Sequence, residues 1–271
     1  MQYLQSRIAL EEPEPDNPFA ARAAYCSGYD VYGEMLGRAT WADMTYLLFR
    51  GEAPSPAQAA ALDILAVALG NAGPRDSAVH AAMCAGVGGS VAAASLMAAL
   101  AVGSGSLGGS REVALAMQAW RDCKTDLGAW QRRWASPPRE PVGVWLPAEH
   151  PVGFDPHGVS TATPIKQTLA RLAALDPHSR CAWLLAHLVE MERAAGHPLA
   201  MTGVAAAALT DLGLSPAAGE MLYLLLRLPG AAAHALEQAE VGHKRFPFYE
   251  LKLEEAARPG PTAGATEGGD T

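Results

Sequence analysis

Apolar positions recur at helical spacing through most of this chain, and the breaks between runs carry helix start and stop signals. In "RATWADMTYLLFRGEAPS" Thr40 precedes a run with apolar residues three and four apart, Asp43 follows it by three, and Gly51 closes it. That is the pattern of a capped amphipathic helix. "SPAQAAALDILAVALGNAG" repeats it with Ser55 as cap, Pro56 at the first helical position and Gly70 at the end. The stretch from Asp76 to Gly103 predicts a helix of small residues, with Arg75 and Asp76 at its cap. Arg111 to Trp134 reads as an amphipathic helix with Trp120, Trp130 and Trp134 on one side as packing residues. Further helices are predicted over Pro164–Ala174, His178–Ala195 and Leu199–Leu212. A last one starts at the Ser215 cap and is expected to kink at Pro229. No stretch alternates with the period of two that a half-buried strand requires. The predicted class is all-α.

Three segments fall outside the helical pattern. Residues 1–22 carry Pro13, Pro15, Pro18 and an acidic cluster, and are expected to form an extended arm. Seven prolines fall from Ala135 through Pro164, which predicts a long ordered loop of the kind that often carries function. The end, "ARPGPTAGATEGGDT", is poor in apolar residues and is expected to be disordered.

Composition narrows the function classes. Half the residues are hydrophobic and only 18% are charged, against an average near 25%. A chain so poor in charge is expected to hide further surface in an oligomer. A net charge of −8 with no basic stripe argues against nucleic acid. Cys26, Cys84, Cys123 and Cys181 are scattered without a CxxC pair, so neither zinc nor a redox dithiol is expected, and reduced thiols fit a cytoplasmic protein. The first residues lack the basic stretch and apolar core of a signal peptide. "VGGSVAAASLMAALAV" (Val87 to Val102) is shorter than the roughly 20 residues of a membrane span. It is read as a buried central helix.

Four segments together resemble the citrate synthase family, in particular its short citryl-CoA lyase-type members. They are "GYDVYGEMLGRATWADMTYLLFRGEAP", "GPRDSAVHAAMCAGVGGSVAAASLMAALAVGSGSLGG", "VGFDP" and "MTGVAAAALTDLGLSPAAGEMLYLLLRLPGAAAHALEQ". They lie in family order from about Gly28 to Tyr249. The resemblance implies an all-helical homodimer with a large domain over 23–110 and 201–256 and a small domain over 111–200. It also implies a coenzyme A thioester and an oxo acid or citryl-CoA as substrate, with no covalently bound cofactor and no metal. A carbon–carbon bond beside a thioester is made or split with a carboxylate base and fixed donors where charge develops.

The family's usual reagents are replaced in this chain. The histidine that precedes the two corner glycines is Leu107, ahead of Gly108 and Gly109. The catalytic aspartate, eleven residues before the glycine of the "DLG" turn at Gly213, is Thr202. An early substrate-site histidine has no counterpart between Leu69 and Asp76. In "GFDPH" the loop histidine falls at His157, shifted by one place or on a shortened loop. Arg227, Gly230 and His234 do match, and that arginine grips a substrate carboxylate in the family, as its planar fork suits. A second carboxylate contact would fall to Lys244 and Arg245, since the family's Arg-Pro-Arg is Phe246-Pro247-Phe248 here. Gly105, Gly108 and Gly109, with Arg111, are candidates for coenzyme A, or alternatively a tight turn and a surface ion pair. Asp155 and His157 could be a recruited acid–base pair or an ordinary turn, with His150 seven residues before His157. His187 and Glu190 have helical spacing but no third metal ligand.

Two function classes follow. One is a divergent carbon–carbon lyase or synthase using His157, Asp155 or Thr202. The other is a catalytically silent paralogue that binds a ligand or pairs with an active relative in a heteromer, its discriminator being whether His157 reaches the pocket of Leu107, Thr202 and Arg227.

Overall fold

A computed structural model describes residues 6–135 and 150–246 of the chain. The first part of the proline-rich loop (136–149), the disordered tail expected over 257–271, and Pro247 and Phe248 lie outside the described residues. Eleven α-helices dominate what is described: α1 Trp41–Arg50, α2 Pro56–Leu69, α3 Ser77–Val87, α4 Ala92–Gly103, α5 Ser110–Cys123, α6 Leu127–Ala135, α7 Thr163–Ala173, α8 Arg180–Ala186, α9 Leu188–Ala195, α10 Met201–Asp211 and α11 Pro216–Val241. The caps work as their chemistry dictates. Thr40 with Asp43, and Ser55 with Gln58, form reciprocal capping boxes at α1 and α2. Asp76, Ser179 and Ser215 accept backbone N–H groups at the starts of α3, α8 and α11.

Three predicted helices are each two. Gly88, Gly89 and Ser90 separate α3 from α4, Lys124 at φ 49° separates α5 from α6, and His187 separates α8 from α9. Hydrophobic spacing carries over such breaks, so it does not reveal them. The expected extended arm instead contributes to a small antiparallel sheet in the order β1–β2–β3: β1 Ala9–Pro13, β2 Ala21–Cys26 and β3 Tyr29–Asp30. Most of its residues are exposed, so no alternating pattern marks it.

The central helix is not the one the sequence suggested. In α4 only Ser95, Ala99 and Gly103 are buried, while Val91, Met97 and Val102 are exposed. α4 packs chiefly on α3 and α11, and small residues on all sides left its inward face unmarked. The helix enclosed on every side is α10, buried continuously from Thr202 to Thr210, as a helix apolar all round should be. Its alanines let α5 approach closely, and α5 presents Val113, Ala116, Met117 and Trp120 to the main core. Asp211, at the end of α10, accepts the N–H groups of Arg180 and Cys181 at the start of α8 and pairs with the Arg180 guanidinium. A second, smaller core joins α3, α4 and α11 through Ala78, Val79, Ala82, Met83, Ala99, Ala231 and Ala235.

Candidate functional site

The glycine corner joins α4 to α5. Gly108 adopts φ 74°, and a Cβ on Gly109 would lie 2.4 Å from the carbonyl oxygen of Gly105. The corner is folded tightly on itself, so Gly109 is demanded by the turn. A Cβ on Gly105 would make only ordinary contact. Leu107 at the apex is 65% exposed. Arg111, the first basic residue after the corner, is mostly exposed and pairs with Glu220 at 3.5 Å.

Beneath the corner lies a residue that sequence reasoning did not single out. Glu112 is 1% exposed. Its Oε2 accepts the N–H of Gly108. Its Oε1 accepts the N–H of Gly153 at 2.7 Å and the hydroxyl of Thr202 at 3.1 Å. Three donors and no acceptor are the complement of an acceptor-only carboxylate. One side chain thereby ties the corner, the loop before α7 and the first turn of α10. A signal existed: Glu112 is the sole acidic residue between Ser77 and Trp120, and it sits on the same helical stripe as Ala116 and Trp120.

The loop is held close. A Cβ on Gly203 would meet the Gly153 carbonyl oxygen at 2.3 Å, and Ala200 donates its N–H to that same oxygen. Phe154 is buried against Trp134, with ring centroids 5.3 Å apart. Trp120 and Trp130 continue this aromatic layer at 4.9 Å. Asp155 is half-buried and its carboxylate accepts the backbone N–H of His157 at 2.9 Å, closing a local turn. The His157 side chain is exposed. Thr202, by contrast, is 4% exposed and its hydroxyl is engaged by Glu112.

Arg227 on α11 is 8% exposed, and its guanidinium pairs with Asp76, the N-cap of α3. Its Cζ lies 5.2 Å from the ring centroid of Tyr223. Burial first, then the charges of Asp76 and Glu112, against the lowering effect of Arg227, push the Tyr223 hydroxyl up to about 12. Gly103, whose carbonyl oxygen touches the corner, also lies beside Arg227. The Arg227–Asp76 pair and the Glu112–Thr202 junction are therefore neighbours.

The remaining candidates stand apart from this cluster in their contacts. His234 is largely buried and bridges Asn71 at 3.0 Å and Glu237 at 3.1 Å. Lys244 and Arg245 are exposed on a single 3₁₀ turn. His150 and His197 are ring neighbours at 6.2 Å, and His187 stacks on Trp183 while its Nδ1 meets the Trp183 carbonyl. Among the described residues no group of three His, Cys, Asp or Glu could hold a metal, and no helix is long and apolar enough to cross a membrane.

The helix order, with α10 enclosed between α5 and α8 and the corner feeding α5, has solved counterparts. Citryl-CoA lyase from Hydrogenobacter thermophilus superposes at a TM-score of 0.72 with 16% identity, covering 95% of this chain and 96% of that one. The fold is citryl-CoA lyase-like. ATP citrate lyase from Methanothrix soehngenii, in complex with citrate and coenzyme A, matches at 0.68 and 14% identity. A variant of the Methanosaeta concilii ATP citrate lyase with (3S)-citryl-CoA matches at 0.67 and 13%. This chain covers 94% of itself but 42% of each of those two longer proteins. No family model and no curated protein sequence matches the chain.

Proposed function

We propose that this protein is a catalytically silent citryl-CoA lyase-like subunit, which pairs with a second copy or with an active relative. The observation that carries the reading is the occupation of its anion-handling groups by carboxylates of the chain itself. Asp76 takes Arg227, and Glu112 takes the Gly108 N–H. Leu107, in the place of the corner histidine, has no donor to offer. His157 is exposed, and Thr202 spends its hydroxyl on Glu112. A general base and a fixed donor each contribute about 10²- to 10⁴-fold, so removing both leaves little of the family's chemistry.

What supports a pairing role is the face left uncovered. No Asp, Glu, Lys or Arg occurs from Ser77 through Ser110, yet α4 exposes Val91, Met97 and Val102, and α11 exposes Met221, Leu225 and Leu236. α4 and α11 pack against each other, and a contiguous exposed apolar patch is the mark of an interface. Light scattering coupled to size exclusion tests this: a mass of two chains or a mixed dimer with an active relative is expected, and a lone monomer overturns it.

A second reading has one observation in its favour. The Oε1 of Glu112 lies 3.1 Å from the Thr202 hydroxyl, so a carboxylate does stand next to the position of the family aspartate. An active lyase or synthase on a citryl-CoA or acyl-CoA and oxo-acid substrate would then use Glu112 through Thr202. What weighs against it is that both oxygens of Glu112 are already taken by the N–H groups of Gly108 and Gly153 and the Thr202 hydroxyl, with the side chain closed off from solvent.

A further inference from the structure

The pairing of Arg227 with Asp76 carries an inference about what this site accepts. Each oxygen of the Asp76 carboxylate has its own work: Oδ1 accepts the N–H groups of Ala78 and Val79, and Oδ2 meets the Arg227 guanidinium. The first duty needs no charge. Serine and threonine cap helices as well as aspartate does, and this chain uses Thr40, Ser55, Ser179 and Ser215 for it. The charge of Asp76 therefore matters for Arg227.

Arg227 has a second contact besides Asp76: its guanidinium carbon lies 5.2 Å from the centre of the Tyr223 ring. A Cβ on Gly103 would lie 3.2 Å from the Ala78 Cβ and 3.8 Å from Nη1, so the wall beside the guanidinium is already close-packed. The space next to the pair is a pocket of ≈10 Å³ lined by Asp76, Ala78, Ala99, Gly103, Arg227 and Leu228. That is room for about one water molecule. An incoming carboxylate has no space at the guanidinium while Asp76 holds it.

We propose that Asp76 is a built-in carboxylate ligand of Arg227, which closes a site for carboxylate-bearing small molecules and sets the chain's selectivity against them. The proposal rests on reading Arg227 as the arginine that grips carboxylate in this fold. Serine at position 76 would keep the cap and remove the competing carboxylate together with its volume. A ligand carboxylate could then make the paired N–H···O contacts that the guanidinium fork offers.

The test is a calorimetric titration of citrate and of acetate into the wild type, Asp76→Ser, Asp76→Gly and the double variant Asp76→Ser/Arg227→Met. Asp76→Ser is expected to bind citrate at least tenfold more tightly than the wild type, and the double variant to lose that gain. Equal citrate affinity in wild type and Asp76→Ser overturns the proposal, as does a folded Asp76→Ser with no gain for either probe. If Asp76→Ser does not fold, Asp76→Gly, a residue that helix N-caps also accept and that frees the same volume, carries the same expectation: citrate raises its melting temperature and leaves that of the wild type unchanged. No such rise overturns the proposal equally. A silent partner subunit is a separate matter, overturned by turnover or by a monomeric mass, neither of which this titration reads.

Discussion

Replacing Glu112 probes the junction that joins corner, loop and central helix. Glu112→Ala strips the acceptor from three donors at once: the Gly108 N–H, the Gly153 N–H and the Thr202 hydroxyl. A buried donor left without a partner costs about 1–3 kcal/mol. Gly108 is exposed enough to find water, but the Thr202 hydroxyl and the Gly153 N–H are both buried. The expected loss is therefore about 2–6 kcal/mol, a large share of the roughly 5–15 kcal/mol that holds a typical domain. Glu112→Gln keeps the shape. Its carbonyl oxygen can serve Gly153 and Thr202, and its amide then faces the Gly108 N–H, donor against donor, at the exposed end. About 1–3 kcal/mol follows for that variant, or roughly 2–12 °C in melting temperature for a chain of this size. Urea denaturation of the three proteins, followed by circular dichroism, reads both values. The order wild type, Glu112→Gln, Glu112→Ala is required. An alanine variant within about 0.5 kcal/mol of wild type, the range of an ordinary surface change, would refute the junction.

Other expectations follow from the same geometry. Gly109→Ala places a Cβ 2.4 Å from the Gly105 carbonyl oxygen and should cost about 1–3 kcal/mol as overpacking, measured by thermal melting. Met97→Glu puts a charge on the exposed face of α4 and should convert the assembly to monomers in light scattering without lowering helix content. Burial raises the Tyr223 hydroxyl from 10 to about 12. Its contribution is fully present below pH 10 and is lost as pH rises towards 12, because the unfolded chain sheds that proton first. Tyr223→Phe should flatten this alkaline fall in stability, and an unchanged slope would remove Tyr223 as its source. Cys181, pushed well up by burial and by the Asp211 charge, should resist iodoacetamide until denaturant is added, as mass spectrometry can show.

Much of the architecture could be read from residues with local jobs. Thr40, Ser55, Asp76 and Ser215 marked helix starts because capping needs only the next three residues. The breaks at Lys124 and His187 left no such mark, since apolar spacing runs across them. α4 and α10 are both small and apolar; which one is enclosed depends on how many neighbours the fold supplies, and that is a tertiary fact. The site followed the same division. Leu107 and Thr202 stood out by resemblance. The partners that define their surroundings, Glu112 and Asp76, act across 90 and 151 positions of sequence. A local pattern cannot pair them: Asp76 read only as a cap, and Glu112 as one more helical glutamate.

The most direct test of a silent citryl-CoA lyase-like subunit is turnover by the purified wild-type chain. Citryl-CoA cleavage, and the reverse condensation of acetyl-CoA with oxaloacetate, would each be followed by chromatography of the coenzyme A products. No protein-dependent product above the uncatalysed background is expected from this chain alone, while an active relative added to the same mixture turns over. Protein-dependent turnover near the 1–10³ s⁻¹ typical of enzymes, roughly speaking, and abolished by Glu112→Gln would contradict it and place the chemistry on the Glu112–Thr202 pair.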